Sequence, residues 1–416
     1  MIGIAIAAVG RELGAIGGSD ARLSAFARRT APLLAALSFA AMAVQLSPGG
    51  EPHLDRSGAL LGHDLAQVWV AGRTAFAGAA DRVYDFAAHG AELVRTFGPD
   101  APLFGWHYPP VYFLPAMGLA TLPYPAAVAL WAAGSVLVFA LAIRAATDRT
   151  DATIMALAHP LVFCALSYGQ NSLVTASCLA LGLAWLDRRP VVAGILLGLA
   201  CYKPQLAALA PFLCLVTGRW RVLGTSLATM ATLATISLIL LGPSVWLAFL
   251  ASIGPTGDLI LRDASAGLDL NASAFGAVRL LGGPLPLAWA AQSVVSGCAL
   301  GGALLAWRRT DDLRLRAAVT LFATVLMTPY LPVYDLAILL PGFCLLALAG
   351  AAAGSLTSAE RALLIASVVL TPPLRSLTGL TGLPLGFGLA LAAFSLATMR
   401  AAGRRPLLVA PNLAAR

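Results

Sequence analysis

The stretch VVAGILLGLACYKPQLAALAPFLCLV, residues 191 to 216, is apolar on every side except at its middle, where Lys203 is followed by Pro204 and Gln205. Helices that are apolar all round are buried in protein or in lipid. The run is also too continuous for a membrane β-barrel, whose strands alternate apolar and polar residues in segments of about ten. The rest of the chain repeats the pattern. Of its 416 residues 59% are hydrophobic and 11% charged, with a mean hydropathy of +0.84, whereas soluble domains carry about 25% charged residues. A water-soluble protein is excluded, and the fold class read here is an all-α polytopic membrane protein.

Twelve spans are expected, within a range of ten to thirteen: 31–47, 124–143, 152–167, 171–186, 190–202, 205–217, 222–241, 284–306, 317–333, 335–350, 362–373 and 380–399. The first is read as a retained helix rather than a signal peptide, because its charged leader is long and no A-x-A site follows. Cytoplasmic loops collect Lys and Arg. With the N-terminus inside, 19 of the 27 basic residues fall on cytoplasmic segments, among them Arg11, Arg144, Arg188, Arg189, Arg219, Arg308, Arg309, Arg361, Arg404, Arg405 and Arg416. The expected domain plan is a cytoplasmic segment 1–30, one transmembrane domain 31–399 with outer loops 48–123 and 242–283, and a cytoplasmic tail 400–416. The net charge of +8 is thus spent on orienting helices, and no nucleic-acid partner is expected. The preference for Arg over Lys and the Ala richness fit a GC-rich bacterial genome and so a bacterial inner membrane, while the distribution of basic residues puts both termini in the cytoplasm and the site on the periplasmic side.

The first outer loop is too long for a mere connection. Its residues 48–107 carry seven of the chain's 19 acids and only four basic residues. Asp64 lies just before Ala66 to Phe86, a stretch with helical spacing that is expected to form a helix on the membrane surface. A carboxylate at that boundary can serve as a general base for a hydroxyl, or simply cap the helix. Lys203 is the only lysine in the chain. A lysine at the bilayer centre costs about 2.5–3.5 kcal/mol, so it faces either an anion such as a phosphate or, by snorkelling, the interface.

Further polar groups interrupt apolar runs. Trp106-His107-Tyr108-Pro109-Pro110 joins aromatic rings to a rigid proline pair, and Gly169-Gln170-Asn171-Ser172 is a turn between two spans. Tyr334-Asp335 sets an acid at the start of an apolar run, where it is a functional candidate or a partner of the helix dipole. Arg262 and Arg279 in the second outer loop are phosphate candidates by their fork of donors, or solvated surface residues. The six cysteines show no ligand spacing and read as small core residues. No P-loop, GxSxG, HExxH or DxD motif occurs, so no nucleotide, metal or other cofactor is expected. A substrate that carries its own activation, such as a lipid phosphate ester, would suit such a site.

Five segments taken together resemble glycosyltransferase family 87, the polyprenyl-phosphate-mannose-dependent mannosyltransferase-like proteins of GT-C fold. They are HDLAQVWVAGRTAFAGAADRVYDF (63–86), WHYPPVYFLPAMGLATLPYP (106–125), YGQNSLV (168–174), RRPVVAGILLGLACYKPQL (188–206) and TPYLPVYDLAILLP (328–341). The resemblance spans about 55–345; the tail beyond it matches nothing familiar. It implies a GT-C-like helical bundle with surface helices in the first outer loop. It also implies transfer of a hexose, mannose first, from a polyprenyl phosphate to the hydroxyl of a glycan or glycolipid. Asp64 matches the catalytic-base position, and Lys203, His107, Tyr108, Gln170, Asn171, Tyr334 and Asp335 fall on motif positions that would line the cavity. Chemically, Asp64 would take the acceptor proton and the configuration would invert, while Lys203, helped by Arg262 or His107, would steady the phosphate. A transporter or lipid flippase is the main rival, though transporters tend to show related halves and midplane sites. A glycan ligase or polymerase is the second.

Overall fold

The computed structural model describes residues 18–103 and 105–403. The arginines expected to mark the two ends, Arg11, Arg404, Arg405 and Arg416, lie outside the described residues. Within them all regular structure is helical apart from three isolated bridges, Pro48 with Asp55, Leu54 with Leu60, and Asn271 with Pro332.

Five helices are long and apolar enough to cross a membrane: Tyr124–Thr147, Trp220–Leu241, Pro243–Arg262, Leu285–Arg309 and Val333–Ala352. Two bent pairs, Thr150–Leu157 with Pro160–Ser167 and Ser358–Leu370 with Leu374–Thr381, raise the number to seven if each is one span. The expectation was twelve. Four of the expected spans correspond to shorter apolar helices, Ser172–Ala184, Pro190–Tyr202, Pro204–Val216 and Leu385–Ala401. At 1.5 Å per residue a 13-residue helix covers about 20 Å, less than the ~30 Å hydrocarbon core. The first expected span, 31–47, lies in a longer helix, Asp20–Gln45, capped at its start by Ser19.

Two segments differ from expectation. Residues 242–283 are expected as a polar outer loop, yet Pro243–Gly257 is an α-helix continued by a π-turn, Asp258–Arg262. Its apolar side chains, Leu247, Leu250 and Ile253 among them, are exposed. The second is 66–86, expected as one surface helix. It is an α-helix only over Leu65–Phe76, ends at the left-handed Gly78, and continues as a short 3-10 turn, Ala80–Tyr84. This helix is not superficial: most of its residues are buried, and Gly72 lies so close to Ala116 that a Cβ there would overlap the Ala116 carbonyl.

The apolar side chains form two cores. The larger joins Phe139, Leu173, Leu179, Leu197, Phe322, Leu336 and Phe394 within the helical bundle. Small residues make that bundle tight, as expected where lipid offers no competing hydrophobic drive. Gly194 and Gly198, four apart, let the helix Pro190–Leu199 lie directly against the Trp220–Leu241 backbone at Val222 and Ser226. The smaller core, Leu61, Trp69, Val83, Leu93, Phe97, Phe113 and Tyr124, folds the segment from Leu61 to Tyr124 onto itself. Trp69 Nε1 donates to the Leu122 carbonyl at 3.0 Å, and its ring meets Tyr124 at 5.6 Å.

The arginine-rich loops meet at one end of the bundle. Arg219 pairs with Asp187 and stacks over Trp307 at 5.4 Å, with Arg316 on the same ring at 5.6 Å. Helix Ser172–Ala184 runs away from Asn171 toward that end, and Pro190–Leu199 returns from it to Lys203. Asn171 and Lys203 therefore sit together, about 20 Å from the arginines.

In the smaller core His89 is 1% exposed, and neither ring nitrogen has a hydrogen-bond partner among the described residues. Burial, and secondarily His107, pushes its pKa down to about 4. The free imidazole titrates near 6.5, so the unfolded chain takes up this proton before the native one. Its contribution is complete above about pH 6.5 and is lost as pH falls from there toward 4, by about 1.4 kcal/mol per pH unit. Thermal melting of the purified protein between pH 7 and 4 should show a steeper loss for wild type than for His89→Leu.

Candidate active site

Asp64 precedes the helix Leu65–Phe76 but does not cap it: its backbone is already αR, and its side chain makes no capping hydrogen bond. The carboxylate is engaged elsewhere. Oδ1 meets His63 Nδ1 at 2.7 Å and Oδ2 accepts from Gln170 Nε2 at 2.5 Å. Its backbone N–H donates to the Tyr168 carbonyl at 3.2 Å.

Local conformation makes this meeting possible. Gly62 and His63 both have positive φ, at 67° and 45°, a strained state for a side-chain-bearing residue that persists only where the surroundings enforce it. Gly169, at φ 63°, packs against that loop, and a Cβ there would collide with the Gly62 carbonyl. The Gly-Gln-Asn turn is thus more than a connection between spans, because it fixes the Asp64 loop and supplies the amide that orients Asp64.

Behind Asp64 lies a second polar group. Lys203 Nζ donates to both oxygens of Asp335 at 2.6 and 2.9 Å, and Ser172 Oγ donates to Asp335 Oδ1 at 2.6 Å. Both ionised residues are buried, at 5% and 4% exposure. The expected anion partner of Lys203 is therefore, in this structure, a carboxylate of the chain itself. The break at Pro204 is what brings the ammonium here, since the helix before it ends in a 3-10 turn at Tyr202.

The aromatic run 106–113 turns inward instead of forming an interfacial belt. Trp106, Tyr112 and Phe113 are almost fully buried. Tyr108, Tyr112 and Tyr202 form a ring column with spacings of 4.2 and 4.9 Å. Tyr108 OH donates to Gln170 Oε1 at 3.3 Å and Asn171 Nδ2 to Tyr112 OH at 2.9 Å. Tyr334 lies under the lysine, its ring 5.9 Å from Nζ.

A cavity of about 700 Å³ opens between the two cores, lined among others by Asp64, His107, Tyr108, Gln170, Lys203, Tyr334 and Asp335. That is ample for a hexose and a phosphate. His107 reaches it with an exposed ring that packs closely over Gly105 and lies 3.4 Å from Thr256 Oγ1. The protein packed around it disfavours the charged ring and lowers its pKa to about 4, an effect that the ring's contact with solvent moderates. At neutral pH it offers a hydrogen bond, not the positive charge expected of it. A second cavity of about 540 Å³ adjoins across His107, between Asp81, Tyr84 and Phe86 on one side and Ser252 and Thr256 on the other.

The remaining candidates are not among the cavity's walls: Asn171, expected to line it, is buried behind them against Tyr112. Arg262 is exposed and 3.4 Å from Asp258, one turn away on its own helix, and it is not among the cavity's walls. Arg279 donates to the Gly283 carbonyl at 3.1 Å. Conversely, sequence reading missed Gln67, Tyr168, Tyr330 and Arg375, all cavity-lining. Gln67 had a usable signal: it stands three residues after Asp64, on the same helix face, and its buried Oε1 has no partner among the described residues.

Breaking one member of a buried ion pair costs about 3–5 kcal/mol, because the other charge stays uncompensated. Lys203→Met and Asp335→Leu should each lower the melting temperature and yield sharply, and the double variant should recover most of the loss. Gly169→Ala should destabilise by at least about 1–3 kcal/mol, because strain at positive φ adds to the collision with the Gly62 carbonyl, read in the same melts.

The chain matches the family model of glycosyltransferase family 87 over residues 106–329, more than half its length. That span holds the aromatic run, the Gly-Gln-Asn turn and Lys203, whereas Asp64, Asp335 and Arg375 flank it. No curated protein and no solved structure matches the chain. A membrane chain with this match, most of whose motif residues converge on one cavity, belongs to glycosyltransferase family 87.

Proposed function

We propose that the protein transfers a hexose, mannose first, from a polyprenyl phosphate to an acceptor hydroxyl, with inversion at the anomeric carbon and Asp64 as general base. Family membership supports glycosyl transfer from a sugar donor to an acceptor. The single observation that carries the base assignment is the Asp64 carboxylate: free of any capping role, oriented by His63 and Gln170, and facing a cavity wide enough for a sugar.

In this reading the acceptor hydroxyl gives its proton to an Asp64 oxygen as its own oxygen bonds to the anomeric carbon. The bond from that carbon to the phosphate oxygen breaks with its electron pair, leaving polyprenyl phosphate. A phosphate is a good leaving group, so no general acid is required. Gln170 and His63 hold the carboxylate in one orientation, which spares the cost of ordering it during the reaction. The smaller cavity beyond His107 offers hydroxyl, carboxylate and aromatic groups suited to a polyhydroxylated acceptor. Location in a bacterial inner membrane, with the cavity on the periplasmic side, is supported by the arginine-rich loops collecting at the opposite end.

The test is incorporation of labelled mannose from polyprenyl-phosphate-mannose by membranes holding the protein, with glycolipid and polysaccharide extracts as acceptors. Asp64→Asn at equal expression should lower incorporation by about 10²–10⁴-fold. Equal incorporation by both proteins would remove Asp64 from the mechanism while retaining the transferase. No incorporation with any sugar donor or extract would favour transport over transfer.

A further inference from the structure

The transferase reading requires a place for the donor's phosphate, and the charges around the cavity leave one candidate. Four formally charged side chains line it: Asp64, Asp335, Lys203 and Arg375. Lys203 and Asp335 neutralise each other at 2.6 and 2.9 Å, so an arriving anion would have to displace a buried carboxylate. Asp64 is itself a carboxylate, already held by Gln170 and His63, and burial disfavours the charged form of His107. Arg262, the arginine singled out from sequence, stands outside.

Arg375 is different. It sits at the start of Leu374–Thr381, the second arm of a helix pair bent by 89°. Its Nε donates to Asp269 Oδ2 at 2.7 Å and its Nη1 to the Tyr168 hydroxyl at 2.8 Å. Asp269 is not a cavity wall, and Nη2 has no hydrogen-bond partner among the described residues. The guanidinium is thus paired with Asp269, as Lys203 is with Asp335, but this pair is partly exposed, at 45% and 31% of the two side chains, so an anion can join it without displacing a buried carboxylate. A planar guanidinium held in this way presents its remaining N–H donors to phosphate oxygens in fixed directions, which a freely rotating ammonium does not. Tyr168 also ties this group to the base, because its carbonyl accepts the Asp64 N–H while its hydroxyl accepts from Arg375.

We propose that the Arg375 guanidinium, positioned by Asp269 and Tyr168, is the binding site for the phosphate of the lipid-linked donor. This rests on the transferase reading and adds the residue, supplied from outside the family-matched span, that reads the donor's charge.

The test is binding of polyprenyl phosphate, which needs no transfer, to full-length protein in nanodiscs. Arg375→Gln should weaken binding at least tenfold and raise the donor KM in the transfer assay, while Arg262→Gln should leave both unchanged. Arg375→Lys, which keeps the charge and guards against misfolding of the glutamine variant, should recover binding only in part. Inorganic phosphate as competitor separates the sources of the anion: weak competition at millimolar concentration is expected for a lipid headgroup site. Competition as strong as by the lipid would overturn the donor assignment in favour of free phosphate. A folded Arg375→Gln or Arg375→Lys that binds the lipid like wild type would overturn the proposal, leaving the Asp64 assay untouched. Failure of the wild type both to bind and to transfer would instead remove the reading on which the proposal rests.

Discussion

Everything at the cavity depends on the contact between two loops, Gly62-His63-Asp64 and Tyr168-Gly169-Gln170. The first belongs to the smaller apolar core and the second to the helical bundle. Two glycines in left-handed conformation let the backbones approach, and one backbone hydrogen bond, Asp64 to Tyr168, ties them. The cavity is the space left where two separately packed cores meet. A reacting group placed at such a junction is held by both units, which is the kind of positioning that catalysis by orientation needs.

The polar groups of this junction are costly to build. A buried lysine and aspartate in an otherwise apolar bundle must satisfy each other, and they do so across 132 residues of sequence. The Ser172 hydroxyl and the tyrosine column around them complete the pairing. The result is a rigid, largely neutral floor beneath a single oriented carboxylate. Electrostatic work in such a site falls to the charged groups that still face the cavity, and it is stronger there than in water.

Much of the site is legible in the sequence because each polar residue stands out against apolar surroundings. Lys203, Asp335, Gln170 and Asn171 interrupt runs of alanine and leucine, and Asp64 stands at the head of a stretch with helical spacing, although that helix reads as superficial and is buried. What is not legible is pairing at a distance. Nothing local marks Asp335 as the partner of Lys203, or Arg375, 207 residues from Tyr168, as more than one further outer arginine. Arg262 carries the same local signal and turns to its own helix instead. For the fold, the helical class follows from composition, but individual spans do not. Pro243–Gly257 is hidden by its Gly and Pro residues, and the short helices around Asn171 and Lys203 are cut to length by the turns that carry the polar groups.

The helix Pro243–Gly257 borders the smaller cavity with one face, and Leu259 and Ile260 of the π-turn that continues it border the larger one. Its opposite face, studded with Leu247, Leu250 and Ile253, is left uncovered. Space of about 700 Å³ accommodates a headgroup but not a polyprenyl chain. On the donor reading the isoprenoid tail must therefore stay in the bilayer, with only such uncovered helix faces to lie against. Discrimination then ends at the phosphate, so the number of isoprene units in the carrier would matter little to this protein, and one active site could draw on whichever carrier length its membrane supplies.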